Sequence, residues 1–455
     1  MSHLTCFKTY DIRGRLGIDL DEGIAYRIGR AFAQVLGAKV VMLGRDVRAS
    51  SEALAASVAR GLEDEGCEVL DLGLSGTEEM YFATTHFMAD GGICVTASHN
   101  PMDYNGMKMV GAGSAPLDTK AGLAKIKELA ERDDFRASSK VGKTSHVAQD
   151  ARAAYVDKVV NFVDVAAMKS LKILVNAGHG TAGPTFDAIA ERLKAIGAPL
   201  QFETLFHEPD GTFPQGIPNP LLSKNRTSTS EAIQTTGADF GVAWDGDFDR
   251  CFFFDHTGAF IDGEYVVSLL AEAFLAKNPY ATIIHDPRII WSTQDIVSKA
   301  GGRAVQARTG HAFIKQAMRD ENAVYGGEMS AHHYFRDFVY CDSGMIPWLL
   351  VAELVSLHGP LAELVASRKT AYPSSGEINF TLDDPKAAIA RVVKVFKQEA
   401  KAIDTLDGLG VDLGDWRFNL RSSNTEPLVR LNVEARGDAE LVAQGVACIK
   451  SLLMG

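Results

Sequence analysis

The sequence predicts an α/β protein of several domains that ends in a smaller α+β unit. Three observations carry that prediction. Short apolar runs alternate with amphipathic helical stretches, which is the rhythm of βαβ units. The chain has 455 residues, roughly three times a typical domain, so it needs more than one hydrophobic core. From about residue 369 onward the rhythm changes to strands spaced around a single long helix.

Taken in order, Val40–Gly44 reads as a buried parallel strand, Ser51–Glu65 as an amphipathic helix and Cys67–Leu72 as the next strand. The pattern returns with Leu171–Val175 and a helix over Pro184–Ile196. It returns again with Thr282–His285 and a helix near Gln294–Ala300. In the last part, strands are expected at Gly376–Phe380, Trp416–Leu420 and Leu428–Val433, with a helix over Pro385–Lys401. Turn-rich or polar stretches place boundaries near residues 150, 255 and 368, giving segments 1–150, 151–255, 256–368 and 369–455.

Composition narrows the function. A formal charge of -12, from 46 Lys and Arg against 58 Asp and Glu, argues against a nucleic-acid or anionic-membrane partner. An anionic substrate must then be drawn in by local cations. The six cysteines are scattered, with no CxxC and no zinc-type spacing, as expected of reduced thiols in a cytoplasmic protein. Met1–Cys6 lacks the basic and apolar character of a signal sequence. The longest apolar stretch, Met345–Val355, contains Glu353 and falls short of the about 20 residues that span a bilayer. There is no Walker A run, and residues 111–116 fail the dinucleotide fingerprint.

Two segments carry chemistry. Thr96-Ala97-Ser98-His99-Asn100-Pro101 follows the apolar run Gly92–Val95, so it presents the Ser98 hydroxyl on a tight turn just past a strand end, a geometry for covalent catalysis. Alone, a Ser-His pair in a polar turn reads as a solvated loop. Downstream, Asp245-Gly246-Asp247-Phe248-Asp249-Arg250 sets three carboxylates at alternate positions between two apolar strands. They repel one another unless they share a cation, and an all-oxygen set favours Mg²⁺ over zinc. The motifs at Ser98, Asp245 and Glu328 each follow a short apolar or Gly-flanked segment, as expected of related α/β layers that present loops at one sheet edge.

In this order the two segments resemble the signatures of the α-D-phosphohexomutase superfamily, and most nearly its bacterial phosphomannomutase branch. Gly327–His333 resembles that family's sugar-recognition loop, Arg421–Pro427 its phosphate-binding loop, and Tyr10–Gly14 also fits. The resemblance runs from about residue 7 to residue 436. It implies four domains around a central cleft, the first three sharing a mixed α/β sheet fold and the last a smaller α+β domain able to rotate.

The resemblance further implies interconversion of mannose 6-phosphate and mannose 1-phosphate, supplying GDP-mannose synthesis. The route is a phosphoserine at Ser98 and a hexose 1,6-bisphosphate that turns end for end and also primes the enzyme. Mg²⁺ would be held by Asp245, Asp247, Asp249 and the Ser98 phosphate. Lys108 and His311 match the family's active-site lysine and histidine, with His99 beside the nucleophile. A Lys108 crowded by Arg13 and a metal is expected to have a lowered pKa. Arg13 and Arg250 are guanidinium forks suited to phosphate oxygens. Arg421, Ser422, Ser423, Asn424 and Thr425 would cradle the distal phosphate, with Tyr10 and Arg288 as further contacts. Glu328 and Ser330 would bind the 3-OH and 4-OH of the sugar, and His332 a further part of it. Those hydroxyls are alike in glucose and mannose, so a phosphoglucomutase or a dual-specificity enzyme is the alternative. A Mg²⁺-dependent sugar phosphatase and a non-catalytic phosphosugar-binding protein are the competing classes. The expected partner is a small phosphosugar, and the expected assembly a monomer or homodimer.

Overall fold

The computed structural model describes residues 3–117, 122–136, 138, 140–422 and 428–455. The chain divides into two compact units, one made of Met1–Phe260 with Asp337–Gly359 and the other of Ile261–Arg336 with Pro360–Gly455.

In the first unit, one sheet runs in the order Ile12–Arg15, Tyr104–Gly111, Gly91–Val95, Val40–Arg45, Glu68–Leu74, Lys143–His146. Val40–Arg45 pairs in parallel with both Gly91–Val95 and Glu68–Leu74, whereas Tyr104–Gly111 is antiparallel to Gly91–Val95. All five residues of Gly91–Val95 are buried, which explains their unbroken apolar sequence. Helix Glu22–Leu36 starts where the Asp21 carboxylate accepts the Ile24 N–H at 2.7 Å, and it stops at Gly37, whose φ of 63° only glycine adopts freely. Its apolar stripe of Ile28 and Phe32 joins Leu54 and Val58 of helix Ser51–Asp64 and Val41 and Ile93 of the sheet in one core. Each such fully buried side chain contributes about 1.5–3 kcal/mol.

A second sheet in this unit has Leu171–Asn176 in parallel with Leu200–Leu205 and Phe240–Trp244, followed by antiparallel Cys251–Asp255. In the other unit, Thr282–His285 is parallel to Arg303–Gln306 and Tyr325–Gly327, and His333–Phe335 is antiparallel to the latter. The same plan therefore occurs three times: three parallel strands and then an antiparallel neighbour. In each case a sequence motif fills the connection from the third parallel strand to that neighbour. These connections are 96–103, 245–250 and 328–332.

The last sheet is antiparallel throughout, in the order Ser374–Thr381, Leu428–Ala435, Trp416–Ser422, Leu409–Asp412, Ala402–Asp404. Its core sets Phe418, Leu420, Leu431 and Val433 against Val392 and Phe396 of helix Pro385–Phe396 and Ile449 of helix Ala439–Met454. The architecture is thus three mixed α/β domains and a fourth, smaller α+β domain.

Two expectations about elements need correction. The helix expected over Pro385–Lys401 ends at Phe396, whose ring packs against Trp416 and Phe418 at centroid distances of 5.6 and 5.3 Å. Beyond it the polar run Lys397-Gln398-Glu399 has no apolar face to bury, and the Lys401 N–H turns to the Asp412 carbonyl at 2.8 Å. The helix expected near Gln294 begins earlier, at Trp291, because the Glu434 carboxylate accepts the N–H groups of Ile290 and Trp291 at 2.8 and 3.0 Å. The apolar stretch at Met345 lies in the buried helix Met345–His358, and among the described residues no single helix is long and apolar enough to cross a membrane. All six cysteines are free thiols, and only Cys448 is exposed.

Candidate active site

The first unit brings together Ser98, His99, Lys108, Arg13, Arg250 and the three aspartates. Ser98 leaves the buried strand Gly91–Val95 on a turn closed by the Asn100 N–H donating to the Ala97 carbonyl at 2.9 Å. It has φ 50°, a left-handed conformation that non-glycine residues rarely adopt. Its N–H donates to Thr96 Oγ1 at 2.8 Å. The hydroxyl donates to Asp245 Oδ2 at 2.7 Å and lies 2.9 Å from His99 Nδ1, which is itself 3.4 Å from the same Asp245 oxygen.

Asp245, Asp247 and Asp249 occupy the connection of a hairpin whose strands pair Trp244 with Cys251. All three carboxylates are buried, and each has an oxygen within 4.8 Å of one on each of the others. Glycine is required at 246, because a Cβ there would lie 2.6 Å from the Ser98 carbonyl oxygen. The acidic loop and the serine turn thus meet backbone to backbone.

Sheet register aims the cations. Lys108 pairs with Cys94, and Gly106 pairs with Arg13. A side chain at 106 would meet the Ile12 carbonyl and the Arg13 guanidinium. Lys108 Nζ donates to Asp247 Oδ2 at 2.8 Å and also contacts Asp249 Oδ2. Arg13 Nη1 donates to the Thr96 carbonyl at 2.7 Å, and Arg250 Nε lies 3.8 Å from Asp245 Oδ2. Tyr10 lies half-buried in the turn bridged by Phe7 and Ile12.

The electrostatics follow from this packing. Burial disfavours the Lys108 ammonium, but Asp247 and then Asp249 more than offset that and raise its pKa well above the usual lysine range. In the protein without a cation, two carboxylates, and not Arg13, dominate the lysine. Burial and the Arg250 charge lower the pKa of His99 and keep it neutral at pH 7.

The residues fit a hard divalent cation. The donor set is three buried carboxylates, and Asp245 Oδ1 and Asp247 Oδ1 are buried with no hydrogen-bond partner among the described residues. Net negative charge without enough donors is the condition a shared cation relieves.

The second unit gathers the other set. Glu328, buried in the connection after Tyr325–Gly327, accepts the Gly310 N–H on Oε1 at 3.0 Å and the Tyr334 hydroxyl on Oε2 at 2.6 Å. His332 Nδ1 is 3.1 Å from the same Oε2. Burial works to raise the Glu328 pKa, but His332, Arg288 and Tyr334 together hold it below the usual carboxylate range. Arg288 is buried, bonds Asp286 at 3.0 Å through Nε and reaches Ser330 Oγ at 3.1 Å. Its Nη1 lies 3.5 Å from Glu377, which is also 3.8 Å from Arg421 Nη2. His311 begins helix His311–Asp320, directly after the Gly310 whose N–H Glu328 holds. His333 is structural: its Nδ1 is 2.7 Å from the Tyr325 hydroxyl, and burial pushes its pKa down to about 3. Ser422 ends strand Trp416–Ser422 and is exposed, while Ser423, Asn424 and Thr425 lie outside the described residues.

Sequence reading did not single out Thr77 or Arg48. Thr77 Oγ1 donates to Asp247 Oδ2 at 2.6 Å across 170 positions, a contact with no local signature beyond a Thr at a helix start. The only trace of Arg48 in the sequence is the Asp46-Val47-Arg48 triplet at a strand end.

Phosphohexomutase chemistry is the class that this thrice-repeated sheet, with its serine turn and acidic loop, defines. Models of the phosphoglucomutase/phosphomannomutase family match the chain in four parts. They are alpha/beta/alpha domains I, II and III over residues 5–137, 153–258 and 262–372, and the C-terminal domain over 377–450. The chain therefore belongs to the phosphoglucomutase/phosphomannomutase family and is an enzyme of intramolecular phosphate transfer. It is 58% identical over 454 residues to a phosphomannomutase of Salmonella montevideo, with 100% of each chain covered. It is 56% identical over 454 residues to a phosphomannomutase of Escherichia coli strain K12, again with 100% of each covered. Among solved structures, a phosphoglucomutase/phosphomannomutase family protein of Burkholderia thailandensis superposes with a TM-score of 0.86 at 31% identity, covering 99% of this chain and 98% of that one.

Proposed function

We propose that the enzyme interconverts mannose 6-phosphate and mannose 1-phosphate through a phosphoserine at Ser98 and a hexose 1,6-bisphosphate, supplying GDP-mannose synthesis in the cytoplasm. The observation that carries this reading is the Ser98 hydroxyl, 2.7 Å from Asp245 in a buried trio of carboxylates. The names of the Salmonella and Escherichia relatives support mannose as the sugar.

In the first transfer the bond from Ser98 Oγ to phosphorus breaks and that oxygen takes up a proton from an acid, while a bond from phosphorus to the free sugar hydroxyl forms and the hydroxyl proton passes to a base. The second transfer reverses these changes at the other end of the sugar. Because such transition states are loose, the protein mainly positions groups and neutralises charge on the phosphoryl oxygens. Asp245, Asp247 and Asp249 would hold Mg²⁺, which when bound supplies that neutralisation. Arg13 and Arg250 offer guanidinium donors to the same oxygens. Lys108 is a charged donor while Asp247 and Asp249 face it, so it becomes a proton acceptor only once those carboxylates are committed to a cation. His99, kept neutral, can exchange one hydrogen bond with Ser98 Oγ. His311 is assigned the proton exchange at the sugar.

Glu328 and Ser330 are assigned to the sugar 3-OH and 4-OH, with His332 beside them. Arg288, Arg421, Ser422, Ser423, Asn424, Thr425 and Tyr10 are assigned to phosphate. An ionised Glu328 accepts from hydroxyls, and these two hydroxyls do not distinguish mannose from glucose, so glucose phosphates are expected as second substrates. The test is kcat/KM, with primer supplied, on mannose 1-phosphate, glucose 1-phosphate and glucosamine 1-phosphate. The first two should both be turned over well; a preference for glucosamine 1-phosphate over both would reject the assignment.

A further inference from the structure

Arg48 is a buried arginine, and its side chain is spent on one loop. Nη2 donates to the Ser98 carbonyl at 2.9 Å and to the Asn100 carbonyl at 2.6 Å. Nη1 donates to the Pro101 and Tyr104 carbonyls at 2.9 and 3.2 Å. Three backbone acceptors of the turn between two strands and one at the first residue of the second strand thus converge on one guanidinium, including the carbonyl of Ser98 itself. Asp46 takes the other side: its Oδ2 accepts the Ala97 N–H at 3.3 Å and lies 3.5 Å from Arg48 Nε. Its Oδ1 is fixed by the Arg48 N–H at 3.0 Å and the Ser51 hydroxyl at 2.5 Å, and Asn105 Nδ2 donates to Ser51 Oγ at 2.9 Å.

Ser98 needs such a hold. At φ 50° it has a backbone that an L-residue leaves readily when unsupported. Released to an extended conformation, the residue would swing both its carbonyl and its Cβ, and Oγ would leave the 2.7 Å contact with Asp245. We propose that Arg48 is a positioning residue for phosphoryl transfer: by gripping the carbonyls of Ser98, Asn100, Pro101 and Tyr104 it holds Ser98 in the left-handed conformation that aims Oγ at the acidic trio. Arg48 touches neither substrate nor phosphoryl group in this role. The assignment rests on Ser98 being the phosphate carrier.

A lysine keeps the charge beside Asp46 but lacks the planar fork, so it cannot reach four carbonyls at once. Arg48→Lys, compared with wild type, should lower kcat and the rate at which Ser98 takes up phosphate from glucose 1,6-bisphosphate by roughly 10–100-fold, with KM within about threefold and a cooperative melt retained. Folded Arg48→Lys enzyme with wild-type kcat and priming rate would overturn the proposal, as would a loss seen only as a proportional rise in KM. If Arg48→Lys does not fold, Asp46→Asn decides: it keeps the shape but removes the charge 3.5 Å from Arg48 Nε that orients the guanidinium, and the same kcat-selective loss is expected; an unchanged kcat would overturn the proposal. A wild-type protein that takes up no phosphate on Ser98 sinks the covalent reading, whereas normal priming of both wild type and variant sinks only the role of Arg48.

Discussion

At the scale of single residues, the site depends on a few contacts whose loss has distinct signatures. Ser98→Ala removes the proposed phosphate carrier while leaving a buried turn filled, so mutase activity should vanish with the melting temperature nearly unchanged; substantial retained interconversion would reject the covalent route. Asp247→Asn keeps the Thr77 and Lys108 contacts within reach but weakens the acidic trio, and it should raise the Mg²⁺ concentration for half-activation by at least ~10-fold. An unchanged Mg²⁺ titration would remove Asp247 from the ligand set. If Arg421 is the phosphate anchor proposed, Arg421→Ala should chiefly raise KM, because such an anchor binds ground state and transition state alike; about 1.5–3 kcal/mol for a charged hydrogen bond is roughly 10–150-fold. A fall in kcat alone would contradict that role. Ser98 and the three aspartates were legible because each signature is contiguous and its chemistry is carried by residue type. Thr77 and Arg48 were not, since their meaning is a partner 170 or 50 positions away. The partners of Lys108 are hidden for the same reason: the sequence shows Arg13 and Lys108 but not the register that points Lys108 at Asp247 and Asp249.

At the scale of elements, helix ends are set by side chains from elsewhere in the fold. Helix Met345–His358 begins against Glu78, which accepts the Gly344 and Met345 N–H groups and the Ser343 and Tyr155 hydroxyls. Burial nevertheless dominates and pushes the Glu78 pKa from 4.5 to about 8. A folded-state value above the unfolded one means that the native state binds the extra proton. That contribution to stability is full below pH 4.5 and is lost as pH rises through about 8. The wild-type melting temperature should therefore fall across that window, and Glu78→Gln, permanently neutral, should give a flatter profile whatever its absolute stability. Parallel profiles would contradict a raised pKa. The same logic explains what the sequence concealed here. The start of helix Trp291–Lys299 is set by Glu434, and the end of helix Pro385–Phe396 by a turn toward Asp412, and neither partner is local. Strands such as Gly91–Val95 are readable because burial on both faces leaves an unbroken apolar run.

At the scale of the whole molecule, one plan used three times accounts for where the three motifs sit. Serine turn, acidic loop and Glu328 loop each fill the step from the third parallel strand to its antiparallel neighbour. That equivalence was visible in sequence only as motifs following short apolar segments, because the three domains share topology without a readable repeat. The antiparallel C-terminal sheet was legible as a change of rhythm near residue 369. The central claim is that Ser98 ferries the phosphoryl group between the two ends of a hexose, and a label chase tests it most directly. Enzyme carrying radiolabelled phosphate on Ser98 is mixed with unlabelled mannose 6-phosphate and Mg²⁺. The account predicts that label leaves the protein and appears in hexose bisphosphate and hexose monophosphate. Label that stays on the protein, or that emerges as inorganic phosphate at the rate of turnover, would contradict it.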